Sequence, residues 1–514
     1  MSEWTKTQET VDRWLEETGS SWVPGIALGH CDLKKELQNG DLVYRKSGKH
    51  TYFTFPYFDE MEKRCAKRIF ARCKPYPMDE ETVENLISEY ELQFSEKEGF
   101  DFHFCEEQKC GIKTLVSNRL AILTGGPGTG KTTVLSCVAY VLKKTAGRHL
   151  TIQFTAPTGK AAKRITESTG CPASTIQKYT GGLGGTKIKV RCPDFLFVDE
   201  FSMCDLETLD LLFESIMPNT RIFLLGDTNQ LPSVGIGAVL RDMIDSGVVP
   251  CTQLIQTFRQ DTSSILFDNI QIIKEGGHIP LQDGSDFKNI RTEENVVQNC
   301  ITEYLEGCKK YGQDETIILT AQRKKGTICS DTLNREIQAI VNPPDPDKGY
   351  LKTKVQRDGY TLNITFREGD PVIQLENEEE VANGEVGRII SIEDGVVEVE
   401  FTDEVVEYYG RDLDALDLAY AMTIHKSQGS QYKCVIMPLL RENKALDRNL
   451  IYTGVSRAKK YCVVIGEDEN IQAACKRRSD QERVTFLAEE IEICQRVRKL
   501  QFEMISKIEY CKPM

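Results

Sequence analysis

Leu120-Ala121-Ile122-Leu123-Thr124-Gly125-Gly126-Pro127-Gly128-Thr129-Gly130-Lys131-Thr132 is an apolar run that breaks into a glycine-rich turn ending on a lysine and a hydroxyl. The turn fits G-x-x-x-x-G-K-[ST], and Val134, Leu135, Val138, Val141 and Leu142 give the residues after it a helical period. Strand, loop and helix in that order make a phosphate cradle. Glycines let backbone N–H groups close on phosphate oxygens, and the helix N-terminus adds a favourable field. Lys131 would neutralise the β and γ phosphates and Thr132 would ligate Mg2+; Gly126, Pro127, Gly128, Thr129, Gly130 and Thr133 complete the cradle.

Further apolar runs surround this one, alternating with helical patterns: 152–154, 195–198 and 222–225, then 317–319, 434–437 and 462–465. Alternation of this kind predicts an α/β fold with parallel sheets, here two such domains. The run 195–198 ends in Asp199-Glu200. There the first acid would sit beside the metal (with Thr132) and the second near the attacking water. Two acids at a strand end are also common turn residues, and it is the phosphate loop that gives them weight. A third run ends in Gly226-Asp227-Thr228-Asn229-Gln230, where the amide of Gln230 could sense a γ-phosphate; a polar turn is the plainer reading. Arg259, in Thr257-Phe258-Arg259-Gln260, and Arg457, in Val455-Ser456-Arg457-Ala458-Lys459, could neutralise charge developing on a transferred phosphoryl group. With 64 basic residues in the chain, any single arginine is more often a surface charge, and their assignment depends on the family resemblance. Thr423-Ile424-His425-Lys426-Ser427-Gln428 gathers hydroxyl, amide and imidazole groups suited to sugar and phosphate oxygens.

Bulk properties narrow the class. At 514 residues, three or four domains are expected. Apolar stretches such as 134–142 fall short of the roughly 18 residues needed to span a bilayer. The start Met-Ser-Glu-Trp-Thr-Lys has no signal core. We therefore expect a soluble intracellular protein with no membrane partner, in cytoplasm or nucleus. The 18 cysteines include no Cys-x-x-Cys, so reduced thiols are expected and no structural metal. A net charge of −14 argues mildly against nonspecific coating of nucleic acid, but permits a grip made by few phosphate contacts.

Around the α/β segments, residues 1–100 read as a small N-terminal accessory domain, with short strands near Lys49–Phe55 and charged helical stretches from Asp59 to Arg72 and from Asp79. Asn342-Pro343-Pro344-Asp345-Pro346 breaks regular structure. Beyond it, Asn383-Gly384 and Asp394-Gly395 predict two-residue hairpins, hence a small antiparallel β-barrel over 350–412. The expected α/β domains are a first over 101–255 and a second over 256–349 and 413–475. A solvated helical tail is expected over 476–514.

These blocks, in this order from about Gln108 to Gly466, resemble superfamily 1 helicases, and within them the RecD-like (superfamily 1B, RecD/Dda) group. Thr155-Ala156-Pro157-Thr158-Gly159-Lys160, Leu333-Asn334, Ile340-Val341-Asn342-Pro343, Gly369-Asp370-Pro371-Val372 and Asn383-Gly384-Glu385-Val386-Gly387 carry the narrower likeness. The resemblance implies two RecA-like P-loop NTPase domains sandwiching Mg-ATP, an SH3-like barrel inserted in the second, and 5′–3′ helicase activity on single-stranded DNA. It makes Gln108 the adenine-reading residue, Gln230 the γ-phosphate sensor, and Arg259 and Arg457 arginine fingers. It places Thr155, Pro157, Thr158, Thr423 and His425 on the DNA strand, and a duplex-splitting hairpin at about 176–192. Gln431 and Ser456 depart from the family's usual glutamate and threonine. The implied partners are single-stranded DNA and its junctions with duplex, together with replication or repair proteins. The molecule is expected to be a monomer, and the short N-terminal region favours a viral or phage source. The rival readings are an RNA or RNA/DNA helicase, an ATP-gated clamp and a P-loop kinase. A kinase would leave the second domain unexplained.

Overall fold

The computed structural model describes residues 4–510, apart from 30, 148, 182–189, 257–263, 324–327, 358–359, 377, 379–380, 403, 442 and 444–445. The chain divides into two compact units: residues 1–157, 162–259 and 479–514 form one, and residues 158–161 and 260–478 the other.

The first unit is built on a six-stranded sheet in the order Ala173–Thr175, Ile152–Ala156, Phe195–Val198, Arg221–Gly226, Leu120–Gly125, Cys251–Leu254. Every neighbouring pair is parallel. Every residue of Leu120–Gly125, Phe195–Val198 and Arg221–Gly226 is buried. That is why these strands read as continuous apolar runs: helices cover both faces of the sheet. On one face, Leu120, Ile122, Leu196, Val198 and Leu224 join Leu206, Leu209 and Leu212 of the Leu206–Glu214 helix in a single core.

Met61, Cys65 and Ile69 of the Pro56–Arg72 helix enter this same core. Packing therefore does not break at residue 100, where the sequence suggested the edge of an accessory domain. The three-stranded antiparallel sheet of Val23–Pro24, His50–Thr54 and Val43–Ser47 and the Lys6–Thr18 helix carry a smaller core of their own around Val11, Leu15 and Phe53. The tail also differs from expectation. Its Leu487–Tyr510 helix buries Leu487 and Ile491 in the sheet's core, so its first turns are structural and not merely solvated. Charge density along the helix had hidden the apolar stripe.

The second unit has a five-stranded parallel sheet, Phe287–Ile290, Ala458–Ile465, Tyr432–Pro438, Thr316–Thr320, Ala421–Thr423. A five-stranded antiparallel sheet orders Val405–Tyr409, Val396–Glu400, Val386–Glu393, Pro371–Gln374 and Leu416–Leu418. Beside it lies the ribbon Tyr350–Arg357 with Tyr360–Arg367. Ile318, Ile436 and Val463 of the parallel sheet share one core with Phe366, Val372, Val397 and Tyr408 of the antiparallel strands. Asp394-Gly395 forms the expected tight hairpin, both residues left-handed at φ 49° and 83°. Asn383-Gly384 does not. It lies inside the longer connection between Gln374 and Val386, where Glu385 N–H closes a turn on Ala382 O. Buried Asp370 accepts hydrogen bonds from Asn342, Gln338, Tyr420 and the Arg367 N–H, which ties the insertion to the Ser330–Val341 helix.

Candidate active site

The phosphate loop follows Leu120–Gly125 and feeds the Lys131–Thr145 helix. Gly128 and Gly130 hold φ of 79° and 80°, a region costly to residues bearing a Cβ. Gly130 is the N-cap of that helix and contributes no side-chain cap, so the first-turn N–H groups remain available to an anion. Thr129 Oγ1 donates to Gly126 O at 2.9 Å. Lys131 Nζ donates to the carbonyls of Gly125 (2.5 Å) and Gly126 (3.0 Å), holding the ammonium over the loop.

Gln108 is buried beneath the loop. Its Oε1 accepts from Cys105 N–H and its Nε2 donates to Thr129 O, both at 3.1 Å. A Cβ on Gly130 would collide with this amide. Two of the amide's four hydrogen-bonding positions are thus committed to protein, and the side chain braces the loop.

Asp199 and Glu200 leave the end of Phe195–Val198. Burial pushes the Asp199 carboxyl above its ordinary range and Glu200 beside it adds to this; Lys131 and Arg164 oppose it. Arg164, not singled out in the sequence, lies four residues after Lys160 in the Gly159–Thr169 helix. That spacing was the available signal. Glu200 has φ of 50°, one of three non-glycine residues with positive φ among the described residues. The third turn follows Arg221–Gly226. Asp227, 1% exposed and not singled out in the sequence, accepts from Asn229 N–H at 3.0 Å and faces Gln230 Nε2 at 3.5 Å. A buried acid directly after an apolar strand was the clue.

Strand order brings these pieces together. The strands bearing Pro157, Asp199-Glu200, Gln230 and the phosphate loop are consecutive parallel neighbours, so all four turns leave the same edge of one sheet. Thr132 and Asp199 supply a hydroxyl and a carboxylate raised by burial, a hard oxygen set that suits Mg2+ completed by phosphate and water. Among the described residues no cluster of three or more His, Cys, Asp or Glu could hold a metal by itself.

The expected strand contacts divide. Thr155 is fully buried and its hydroxyl donates to Phe197 O at 3.2 Å, so the side chain belongs to the sheet and is not placed to touch DNA. Pro157 and Thr158 are half-buried, and the Thr158 hydroxyl accepts from Ala161 N–H. In the second unit Thr423 is half-buried and His425 is exposed at the end of Ala421–Thr423. The surrounding protein lowers the His425 pKa, against an opposite pull from Asp447, which favours a neutral ring. Arg457 is 2% exposed, its guanidinium donating to Thr453 O (3.0 Å) and Ser430 O (3.3 Å). Ser456, also buried, donates to Thr453 O, a bond threonine would make equally. Arg259 lies outside the described residues. So do 182–189 of the expected hairpin, whose first residues form a short helix, Ile176–Thr180, in place of a strand.

Comparison with known proteins agrees with this architecture. The AAA domain family matches residues 103–291, and the UvrD-like helicase C-terminal domain family matches 418–465. The ATP-dependent RecD2 DNA helicase of Deinococcus radiodurans is 30% identical over 389 residues, 74% of this chain and 52% of that protein, so the chain spans about half its length. The RecBCD enzyme subunit RecD of Mycolicibacterium smegmatis is 30% identical over 424 residues, 73% of each chain. The crystal structure of Bacteroides Pif1 bound to ssDNA covers 72% of this chain and 94% of its own at 19% identity, with a TM-score of 0.46. With a phosphate loop, paired acids and the Gln230 turn on one sheet edge, and relatives aligned along most of its length, the chain belongs to the RecD-like family of superfamily 1 helicases.

Proposed function

We propose that this protein is an ATP-dependent DNA helicase that moves 5′ to 3′ along single-stranded DNA and separates duplex ahead of it. The observation that carries the reading is the single sheet edge that gathers Lys131, Gln230 and the Asp199-Glu200 pair. Lys131 neutralises the β and γ phosphates, Glu200 activates the attacking water, Gln230 senses the γ-phosphate, and Arg259 and Arg457 act as arginine fingers. Thr132 and Asp199 would hold Mg2+, which supplies charge neutralisation on the phosphates when bound. Pro157, Thr158, Thr423 and His425 contact the strand, and the antiparallel insertion is an SH3-like barrel. Family membership supports both the DNA substrate and the polarity.

Coupling ATP to movement requires that strand affinity differ between nucleotide states. Duplexes bearing a 5′ or a 3′ single-stranded tail test the proposal, with Lys131→Ala as control. We expect unwinding from the 5′ tail only, and loss of both ATPase and unwinding in Lys131→Ala. Preference for the 3′ tail overturns the polarity, and activity in Lys131→Ala overturns the motor. Stronger competition by RNA than by DNA strands would move the substrate to RNA.

A further inference from the structure

The turn that carries Gln230 starts on local hydrogen bonds to Asp227, from Asn229 N–H at 3.0 Å and from Gln230 N–H at 3.2 Å. It continues through Ser233-Val234-Gly235-Ile236-Gly237, where two glycines give little intrinsic stiffness and Gly237 takes φ of 105°. Beneath it lies a cavity of about 30 Å³, lined by Ser202, Asp227, Gln230 and Ser233 among others. The Ser202 hydroxyl is buried there without a hydrogen-bond partner. Local packing holds the turn in part: Leu231 and Ser233 are buried, and Leu206 N–H donates to Ile236 O at 2.9 Å.

A second set of bonds to its Ser233–Gly237 half comes from a distant part of the chain. Arg483 donates to the carbonyls of Ser233 (2.5 Å), Gly235 (3.0 Å) and Gly237 (2.7 Å), and to Ser233 Oγ (3.1 Å). Three backbone carbonyls turned toward one guanidinium form a cage that the rigid fork of arginine fills better than the single ammonium of lysine. The cage is anchored on both sides. Val484 O accepts from Ser21 and Trp22 N–H, Val484 N–H donates to Ser20 Oγ, Thr485 Oγ1 donates to Asp242, and Phe486 N–H donates to Glu62. Gly237 N–H donates to Gly19 O at 2.8 Å. A Cβ on Gly19 would stand 2.5 Å from Arg483 Cζ, so that glycine leaves the space the guanidinium fills.

We infer that Arg483 is a positioning residue for hydrolysis, setting the Gln230 turn through the Ser233–Gly237 carbonyls. This rests on the proposed role of Gln230. The test compares single-strand-stimulated ATPase kinetics of the full chain, Gln230→Ala, Arg483→Gln, Arg483→Lys, Gly19→Ala and the double variant Gln230→Ala/Arg483→Gln, with thermal melts of each. We expect Gln230→Ala and Arg483→Gln each to lower kcat by about tenfold or more with KM for ATP within about threefold, the double variant being no slower than Gln230→Ala. Arg483→Lys should recover part of the rate, and Gly19→Ala should reproduce the loss by displacing the guanidinium. A folded Arg483→Gln with kcat within about twofold of the parent, or single losses that multiply in the double variant, overturns the inference. Should Arg483→Gln fail to fold, Gly19→Ala decides by the same criteria. An unchanged kcat in Gln230→Ala would instead remove the sensor assignment, and is read separately.

Discussion

Glu200 holds a left-handed backbone directly after the residue that follows Val198, a conformation costing a residue with a Cβ about 1–2 kcal/mol. Strain of this kind persists where its surroundings over-determine it, and here it turns the chain out of the sheet at the proposed water-activating acid. Asparagine tolerates this region better. We therefore expect Glu200→Asn to melt at or above the parent temperature while ATP turnover falls by about a hundredfold or more, at near-normal ATP affinity. Calorimetry and a steady-state ATPase assay check it; a variant that is both less stable and still active contradicts it. The residues of the phosphate loop were legible in the sequence because their chemistry lies in contiguous positions. Thr155 was not, since only the position of Phe197 O on the neighbouring strand shows where its hydroxyl goes.

Among the elements, the Glu106–Val116 helix matters because its first turn carries Gln108. Its C-terminal end is held from outside by Arg221, which donates to the carbonyls of Leu115 (3.3 Å), Val116 (2.6 Å) and Asn118 (2.9 Å). The same guanidinium lies 4.1 Å from the Tyr76 ring centre, and burial lowers its pKa to about 10. Removing it strands buried carbonyls, so Arg221→Met should cost about 2–4 kcal/mol, read from denaturant midpoints. A change below about 0.5 kcal/mol would mean that water replaces the cap without loss. Sequence period predicted the phosphate-loop helix well. It missed the apolar stripe of Leu487–Tyr510, whose partners lie more than 400 residues earlier, at Met61 to Ile69. The Leu333-Asn334 likeness also finds its reason at this scale. Asn334 Nδ2 donates to Leu418 O and Ala421 O, and its Oδ1 accepts from Ala421 N–H, joining a helix to the strand before His425.

For the whole molecule, two buried carboxyls mark where remote segments of the first unit meet. Glu62 accepts from Ser21, Trp22 and Phe486, and burial pushes its pKa up to about 7, outweighing those hydrogen bonds; Asp242 adds slightly to the rise. Burial likewise raises Asp242 to about 6, opposed by Arg241 and Thr485. A carboxyl raised on folding holds its proton more tightly in the native state. Its contribution to stability is full below its ordinary pKa and is lost as pH rises through the raised value, here between about 4.5 and 7 for Glu62. The stability of the parent relative to Glu62→Gln should therefore decline from pH 5 to pH 8 at constant ionic strength. Paired thermal melts measure it, and a difference that stays flat or grows with pH contradicts the assignment. Among the described residues no helix is long and apolar enough to cross a membrane.

The sequence by itself determined the phosphate loop, the acid pair, the alternation of strands and helices, and through them the family, because each is written in neighbouring residues or in local period. Only the tertiary structure decided which turns share an edge. Strand order in a parallel sheet is fixed by crossovers and not by local propensity, and it is this order that sets Gln230 between the loop and the acids. It also decided that Arg483 and Gly19, some 460 positions apart, close on one loop, since a cage of backbone carbonyls leaves no pattern in side-chain identity.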